Sequence, residues 1–258
     1  MTTRDRILSV AIDLLATSPD GDISTRAVCA AASISAPVLY RQFGDKEGLL
    51  AAVVDRGFDT YLATKRERHP GADPVQDIRD GWDSHVAFAL ANRNLYRLMN
   101  SPAMRTPPAS AAESQQILTR ELELAARQGK LRVSPALAAE MIMSANVGVA
   151  LMLVSRPAMF RDPDLSRRVR DAVHTSVFIP EVMRPPHTHG TPGDRPPGAS
   201  AESAPTAAAR LGALLRRSPP TTLTSAETVL LDEWLGRVAN APDPGIDPVP
   251  VPDPAPGG

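Results

Sequence analysis

The placement of proline decides which parts of this chain can fold. The 258 residues contain 26 prolines, and 16 of them lie from Pro180 onward. Residues 184–209 have no aromatic and no branched aliphatic side chain. Burial therefore cannot offset the entropy lost on ordering, and we interpret 184–209 as a disordered linker. Residues 241–258, rich in alternating proline, are interpreted as a disordered tail. A packed core is expected before residue 184, with residues 210–240 as a short helical appendage.

The first 183 residues have the pattern of helices separated by breaks. Apolar side chains recur with the period of an amphipathic helix, and neither strand-like alternation nor an internal repeat of about 20–50 residues occurs. In the appendage, Thr224 and Glu227 have the spacing of a capping box. The sequence therefore predicts an all-α protein. Beyond residue 70, helices are predicted at 75–92, 94–101, 109–128, 135–154 and 164–179.

Composition excludes several classes of protein. The 28 basic and 29 acidic side chains give a net charge of -1, so nucleic-acid binding would need a local basic surface. A single cysteine, Cys29, excludes an internal disulfide framework, and we interpret it as a small buried residue, with a redox sensor as an alternative. No signal peptide and no apolar run of about 18 residues is found, which favours a cytoplasmic protein without a membrane span.

No catalytic motif and no metal site is predicted. The chain contains no P-loop, no GxGxxG after a strand, no HExxH and no GxSxG, so we do not expect an enzyme. His187 and His189 lie in the predicted linker without further ligands at metal-binding spacing. We therefore expect no cofactor.

Residues 1–60 have the pattern of a helix-turn-helix domain. Ser24 and Ser35 are placed as N-caps of two short helices, Pro37 fits the first turn of the second, and Gly44 fits a left-handed stop. An ordinary helical corner with a small core is the simpler interpretation. It does not explain why the second short helix carries Tyr40, Arg41 and Gln42 together.

Residues 23–50, ISTRAVCAAASISAPVLYRQFGDKEGLL, resemble the helix-turn-helix signature of the TetR family of transcriptional repressors. The resemblance is carried by Ser24-Thr25, Ala32-Ser33, Leu39-Tyr40, Phe43 and Lys46-Glu47. It implies a DNA-binding domain over 1–60 and a helical ligand-binding and dimerisation domain over 61–183. Two features depart from the family: Ser33 replaces a common glycine, and residues 1–60 carry six basic and eight acidic side chains, a net charge of -2.

The resemblance assigns nine residues to DNA. The second helix of such a motif lies in the major groove, where apolar side chains contact thymine methyl groups and an arginine can read guanine. We expect Arg26 to read a guanine and the polar residues to contact phosphates, while Arg41 could do either. A packing role for Tyr40 and a merely solvated Lys46 are the alternatives. The assigned residues are Thr25, Arg26, Ala36, Pro37, Val38, Tyr40, Arg41, Gln42 and Lys46.

The resemblance also implies an effector pocket and a dimer. A cavity lined by methionine and aromatic rings would favour a small apolar ligand, although such a stripe is more often core. His85 and Asn146 are the better pointers, because polar groups on apolar faces need partners. Helices 135–154 and 164–179 are the expected dimer helices. The assigned pocket residues are Trp82, His85, Phe88, Tyr96, Met99, Met141 and Asn146.

The sequence thus predicts a ligand-responsive, one-component transcriptional regulator. We expect a homodimeric repressor that binds a palindromic operator in double-stranded DNA and is released by the effector. The alternative is a helical small-molecule-binding or protein-interaction module without specific DNA binding, which the net charge of -2 over residues 1–60 would suit.

Overall fold

The computed structural model describes residues 2–19, 21–67, 71–101, 104, 109–183 and 202–241. Over these ranges every regular element is a helix, apart from one isolated bridge between Leu131 and Phe178. The all-α prediction is confirmed. Most of the predicted linker (184–201) and nearly all of the predicted tail (242–258) lie outside the described residues.

The N-terminal helices form a small bundle around their own core. The four helices are α1 (Thr3–Thr17), α2 (Thr25–Ala31), α3 (Ala36–Phe43) and α4 (Lys46–Glu67). Ile7, Val28, Leu39 and Val53, one from each helix, are fully buried in this core. Burial of these side chains fixes the angle between the two short helices, because neither α2 nor α3 is long enough to be stable alone.

Local caps set the boundaries of α2 and α3. The Ser24 side chain accepts a hydrogen bond from the backbone N–H of Ala27, as predicted. Ser35 occupies the N-cap position of α3 but makes no side-chain capping bond. Gly44 ends α3 at a φ of 79°, and Ser33 in the turn has a φ of 53°. Ser33 therefore adopts a left-handed backbone conformation although it has a Cβ. This conformation costs free energy that a glycine would not lose.

The second part of the chain packs around one larger core. Its helices are α5 (Pro74–Ala91), α6 (Arg93–Met99), α7 (Ala109–Arg127), α8 (Pro135–Ser155), α9 (Leu165–Val177) and α10 (Pro180–Met183). Trp82, Tyr96, Leu122 and Ile142 are buried in the core of this part. The predicted helices agree with the observed ones to within a few residues, since each break carries a proline, a glycine or a capping residue.

Helix α6 joins the two parts. The Asn94 side chain donates hydrogen bonds of 2.8 Å to the carbonyl oxygens of Leu15 and Ser18, at the end of α1. Leu95 and Leu98 from the same helix are buried in the N-terminal core. Since the end of α1 is capped by a side chain from α6, displacement of α6 would displace the N-terminal bundle.

Helix α8 is long and mostly apolar. By length and composition alone it could cross a membrane, with a mean hydropathy of 1.8 over its best window, of which 39% is buried. Every such window contains Glu140, so the finding does not contradict the expectation that no uncharged apolar run reaches about 18 residues. Helix α8 packs on α5, α7 and α9 within the core. Its remaining apolar surface is what a helix at a subunit interface presents.

The C-terminal helices begin earlier than predicted. Helices α11 (Ala204–Arg217) and α12 (Ser225–Ala239) form a hairpin, and α11 packs against α7. The prediction of a disordered linker up to residue 209 is wrong for 204–209. Ser203 caps the helix at the N–H of Thr206, and alanines 208 and 209 are buried against Ala239. Alanine favours helix and packs closely without a branched side chain.

Candidate nucleic-acid interface and internal cavity

Most of the residues assigned to DNA are exposed on α2, α3 and the start of α4. Leu39 faces the core with no exposure, whereas Tyr40 is 43% exposed. Thr25 and Val38 are partly exposed. The other assigned side chains are exposed: Arg26, Ala36, Pro37, Arg41, Gln42 and Lys46.

Two exposed arginines have no side-chain partner among the described residues. Among the described residues, Arg26 and Arg41 make no side-chain hydrogen bond or ion pair, so their guanidinium groups are available to a ligand. Lys46 differs, because its Nζ lies 3.0 Å from Oδ1 of Asp22. Arg4 lies over the ring of Phe43, 4.6 Å from its centroid, and adds a further cation at the end of α3.

Acidic side chains of the N-terminal bundle are largely occupied. Asp5 accepts hydrogen bonds from Thr2 and pairs with Arg56 at 2.7 Å, and the Thr2 bonds are the main cause of its lowered pKa. Hydrogen bonding from Lys46 likewise lowers the pKa of Asp22. Asp45 accepts a bond of 2.7 Å from the N–H of Gly48 and caps α4. The net charge of -2 therefore coexists with free cations on the exposed side.

An internal cavity of about 50 Å³ lies between α4, α5, α7 and α8. Three of the seven residues assigned to the pocket contribute to its wall: Trp82, His85 and Asn146. Phe88, Tyr96, Met99 and Met141 do not line this cavity, and their assignment to the effector pocket stays a prediction. Phe88, Met99 and Met141 pack against the cores, and Tyr96 is fully buried. The wall is formed by Lys65, Ile78, Gly81, Trp82, His85, Ser114, Leu118, Glu121, Ile142, Met143, Asn146 and Val147.

The polar groups of the wall are held in place by the core. The Nε2 atom of His85 lies 2.8 Å from the hydroxyl of Tyr96, and the Asn146 amide donates to the carbonyl oxygen of Trp82 at 3.3 Å. Burial, and then the charge of Lys65, lowers the pKa of His85 to about 4. Burial also raises the pKa of Tyr96. At neutral pH both groups are uncharged and joined by a hydrogen bond.

Sequence patterns did not identify the charged part of the wall. Lys65, Ser114 and Glu121 come from α4 and α7, and their own helices give no sign that they meet His85. The burial of His174 was not predicted either. Its side chain is fully buried beside Trp82, with the ring centroids 6.0 Å apart. Only its position in the period of α9, three residues before Val177, could have indicated burial.

No metal centre is formed by the described part of the chain, in which no three His, Cys, Asp or Glu side chains come together. His187 and His189 lie outside the described residues. The exposed cations of α2 and α3 and the cavity are thus two features of the described residues that could bind a ligand.

A sequence profile described as "Bacterial regulatory proteins, tetR family" matches residues 7–53. The match runs from α1 through α2 and α3 into α4, the helices that carry the exposed cations. This N-terminal part of the chain is similar to the TetR family. The resemblance inferred from residues 23–50 is therefore confirmed, and within the TetR family the short helix α3 is the second helix of the helix-turn-helix motif.

Curated proteins that are similar to part of this chain are named as transcriptional regulators. The HTH-type transcriptional regulator UidR of Escherichia coli K12 is 29% identical over 109 residues, which make up 42% of this chain and 56% of UidR. The chain thus spans about half the length of this curated relative.

Solved structures share the fold. NalD of Pseudomonas aeruginosa, described as the secondary repressor of a multidrug efflux pump, aligns with a TM-score of 0.53 and 18% identity over 68% of this chain and 96% of NalD. BioQ, solved with its double-stranded DNA operator, aligns with a TM-score of 0.50 and 19% identity over 67% of this chain and 99% of BioQ. At these identities the likeness concerns the fold alone.

Proposed function

We propose that this protein is a cytoplasmic transcriptional regulator that represses genes by binding an operator in double-stranded DNA. The supporting observation is that Arg26, Tyr40 and Arg41 are exposed together, with both guanidinium groups free of partners within the described residues. Two short helices that merely packed a corner would not need these three side chains on their outer surfaces. Operator-bound BioQ shows that a protein of this fold binds DNA.

Roles on DNA follow from side-chain chemistry. Helix α3 enters the major groove and brings Ala36, Pro37 and Val38 to thymine methyl groups. Arg26, from the start of α2, reads a guanine through its two parallel N–H donors. Thr25, Tyr40, Gln42 and Lys46 bind phosphates and set the register. Arg41 can take either role.

The proposed regulator works as a homodimer through α8 and α9. Helix α8 has apolar surface left over after packing in its own subunit. Its small residues Ala145 and Gly148 are only partly buried, and a Cβ at Gly148 would meet no atom within 4 Å, so a partner helix can approach closely. A two-fold dimer presents two α3 helices to an inverted repeat.

The proposed effector binds in the cavity beside His85. A volume of about 50 Å³ admits only a small molecule unless the helices separate. The wall combines apolar side chains with Lys65, Glu121 and Asn146, so we revise the expected ligand from purely apolar to a molecule with an apolar body and at least one polar group. Lys65 belongs to α4, which continues directly into the DNA-binding bundle.

Contacts run without a gap from the cavity to that bundle. His85 of the wall is hydrogen-bonded to Tyr96 of α6, and Asn94 of α6 caps the end of α1. A ligand that moves His85 would therefore act on α6 and, through it, on the orientation of the N-terminal bundle. This gives the effector a physical route to the DNA interface.

Selection of genomic fragments by the purified full-length protein tests the proposed function. The protein is mixed with sheared DNA of its source, and the retained fragments are sequenced. We expect enrichment of an inverted repeat, and Arg26→Ala should relax one base position in each half-site by about 1–3 kcal/mol of discrimination. Arg56→Ala is a matched control, because Arg56 is paired with Asp5. Retention without any shared sequence would favour the alternative, a helical module that does not bind DNA specifically.

A further inference from the structure

The amide of Asn146 presents an unpaired hydrogen-bond acceptor to the internal cavity. Asn146, on α8, is 6% exposed and lines the cavity. Its Nδ2 atom donates to the carbonyl oxygen of Trp82 at 3.3 Å, and because that partner can only accept, the orientation of the amide is fixed. The Oδ1 atom accepts no hydrogen bond within the described residues, yet it is not fully enclosed by protein. The surface that Oδ1 retains is therefore cavity surface.

The ring of His85 supplies a hydrogen-bond donor to the same cavity. Its Nε2 atom lies 2.8 Å from the hydroxyl of Tyr96, which is fully buried and has no other partner among the described residues. The Tyr96 hydroxyl must donate to Nε2, because its proton would otherwise lack an acceptor. Burial lowers the pKa of His85 to about 4, so the ring is neutral at neutral pH and carries its one proton on Nδ1. The Nδ1 atom has no partner within the described residues either, and its N–H is available to a ligand.

The acceptor and the donor lie on the same turn of α5. In an α-helix the carbonyl oxygen of Trp82 points toward the N–H of Val86, four residues further along. Asn146 is hydrogen-bonded to that oxygen and therefore reaches the turn that carries His85. A hydroxyl group suits both atoms, because it donates one hydrogen bond and accepts others. A purely apolar ligand would leave both atoms unpaired, which costs free energy.

The charges of the cavity wall cancel. Among the described residues that line the cavity, Lys65 and Glu121 are the charged ones, and they have opposite signs. Both lie close to Tyr61: the Nζ atom of Lys65 is 5.1 Å from the centroid of its ring, and the charge of Glu121 adds to the effect of burial in raising its pKa. A charged ligand would therefore bring an uncompensated charge into a largely apolar site. The wall favours a neutral ligand.

The apolar part of the wall can widen around a ring. The cavity of about 50 Å³ is smaller than the roughly 150 Å³ that hold a benzene molecule in an engineered protein core. Met143 and Lys65 are partly exposed, and their long side chains can change rotamer without a shift of the helices. A small ring is therefore about the largest body that the cavity can accept before its helices separate.

We propose that the cavity binds a small uncharged alcohol or phenol, whose hydroxyl donates to Oδ1 of Asn146 and accepts from Nδ1 of His85. This proposal rests on the proposed effector site and specifies the chemistry of its ligand. The apolar body of the ligand lies among Ile78, Leu118 and Ile142. Because His85 is joined to Tyr96 of α6, the hydroxyl binds at the start of the contacts that lead to the DNA-binding bundle.

Isothermal titration calorimetry of the full-length protein without DNA tests this proposal. The probes are four compounds built on one benzene ring: phenol, toluene, benzoate and benzylamine. Phenol should bind about ten-fold more tightly than toluene, although toluene is more apolar, because toluene leaves the buried acceptor and donor unpaired. Benzoate and protonated benzylamine should bind at least ten-fold more weakly than phenol, because each brings a charge into the cavity.

A variant of Asn146 ties the preference to the proposed hydrogen bond. Asn146→Leu should bring the affinities for phenol and toluene to within about two-fold of each other. The matched control is Met143→Leu, one turn earlier on α8, which changes the shape of the wall without removing a polar atom and should keep the preference for phenol.

The probes bound by the wild type decide the matter even where the variant is unstable. Toluene bound as tightly as phenol, or benzoate bound more tightly than phenol, would overturn the proposal, and so would the absence of binding by all four compounds. An unchanged preference for phenol in a folded Asn146→Leu variant would also overturn it. Since DNA is absent from these titrations, such a failure is distinct from a failure of operator binding by α2 and α3.

Discussion

The Nε2 atom of His85 lies 2.8 Å from the hydroxyl of Tyr96, and this hydrogen bond ties the wall of the cavity to the helix that caps α1. Both groups are buried, so the loss of one leaves the other without a partner, at a cost of about 1–3 kcal/mol. In the same core, both ring nitrogens of His174 lack a hydrogen-bond partner within the described residues. The two histidines should therefore respond in opposite ways to removal of their polar atoms.

We predict that His174→Phe stabilises the protein by about 1 kcal/mol or more, whereas His85→Phe destabilises it by a similar amount. The ring of His174 is surrounded by Trp82 and Phe178, so a phenyl ring keeps its packing and removes two unpaired polar atoms. Urea denaturation at pH 7.5 measures both changes. A loss of stability in His174→Phe would show that its nitrogens have a partner.

The same histidines predict how stability depends on pH. Burial lowers the pKa of both His85 and His174 to about 4, from 6.5 in the unfolded chain. Between these values the unfolded state binds more protons, so the free energy of unfolding is highest above pH 6.5 and falls as the pH is lowered toward 4. Each histidine contributes up to about 3 kcal/mol to this fall. Urea titrations from pH 7.5 to 4.5 should show a shallower decline for His174→Phe; an unchanged profile would contradict the assignment.

The ion pair between Lys46 and Asp22 restrains a residue assigned to DNA. We predict that Asp22→Asn raises the affinity for DNA, because it removes a competing carboxylate 3.0 Å from Nζ of Lys46. Stability should change by less than about 1 kcal/mol, since the pair is solvent-exposed. The control is Asp13→Asn, which removes an equal charge from an exposed position on α1. Equal gains in fluorescence-anisotropy titrations of both variants would mean that only overall charge matters.

Alanine substitutions at two glycines distinguish the effect of filling the cavity from the effect of stabilising a helix. A Cβ at Gly81 would project into the cavity and meet only Nζ of Lys65, at 4.0 Å, whereas one at Gly236 on α12 would meet nothing within 4 Å. Alanine at either position should stabilise its helix by about 0.5–1 kcal/mol. Compounds that raise the Tm of the wild type in a thermal-shift screen should lose this effect in Gly81→Ala and keep it in Gly236→Ala. Loss in Gly236→Ala alone would place the effector elsewhere.

The turn of the helix-turn-helix motif stores a small strain. Ser33 has a φ of 53°, so Ser33→Gly should stabilise the protein by about 1 kcal/mol. Gly44 has a φ of 79° and open space around it, so Gly44→Ala should destabilise the protein by a similar amount for conformational reasons alone. Chemical denaturation measures both; destabilisation by Ser33→Gly would mean that its side chain makes a contact that stabilises the turn.

Local signals predicted most of the helices, and long-range contacts account for what was missed. Ser24, Gly44 and Thr224 act within four residues of their own position, so their roles can be deduced from the sequence. The pairing of Lys46 with Asp22 and the meeting of Lys65 with His85 depend on how helices pack, which local periodicity does not encode. The start of α11 was missed because its alanines were judged by the apolar surface they lack rather than by their helix propensity.

The most direct test of the account is the salt dependence of binding to the selected fragment by the full-length protein. Fluorescence anisotropy should show that log Kd rises linearly with log salt concentration, and that Lys46→Ala reduces this slope by about one on every sequence. Arg26→Ala should instead weaken binding to the inverted repeat more than to a scrambled fragment of equal length. Equal affinity for the repeat and the scrambled fragment at every salt concentration would contradict the assignment of α2 and α3 to operator recognition.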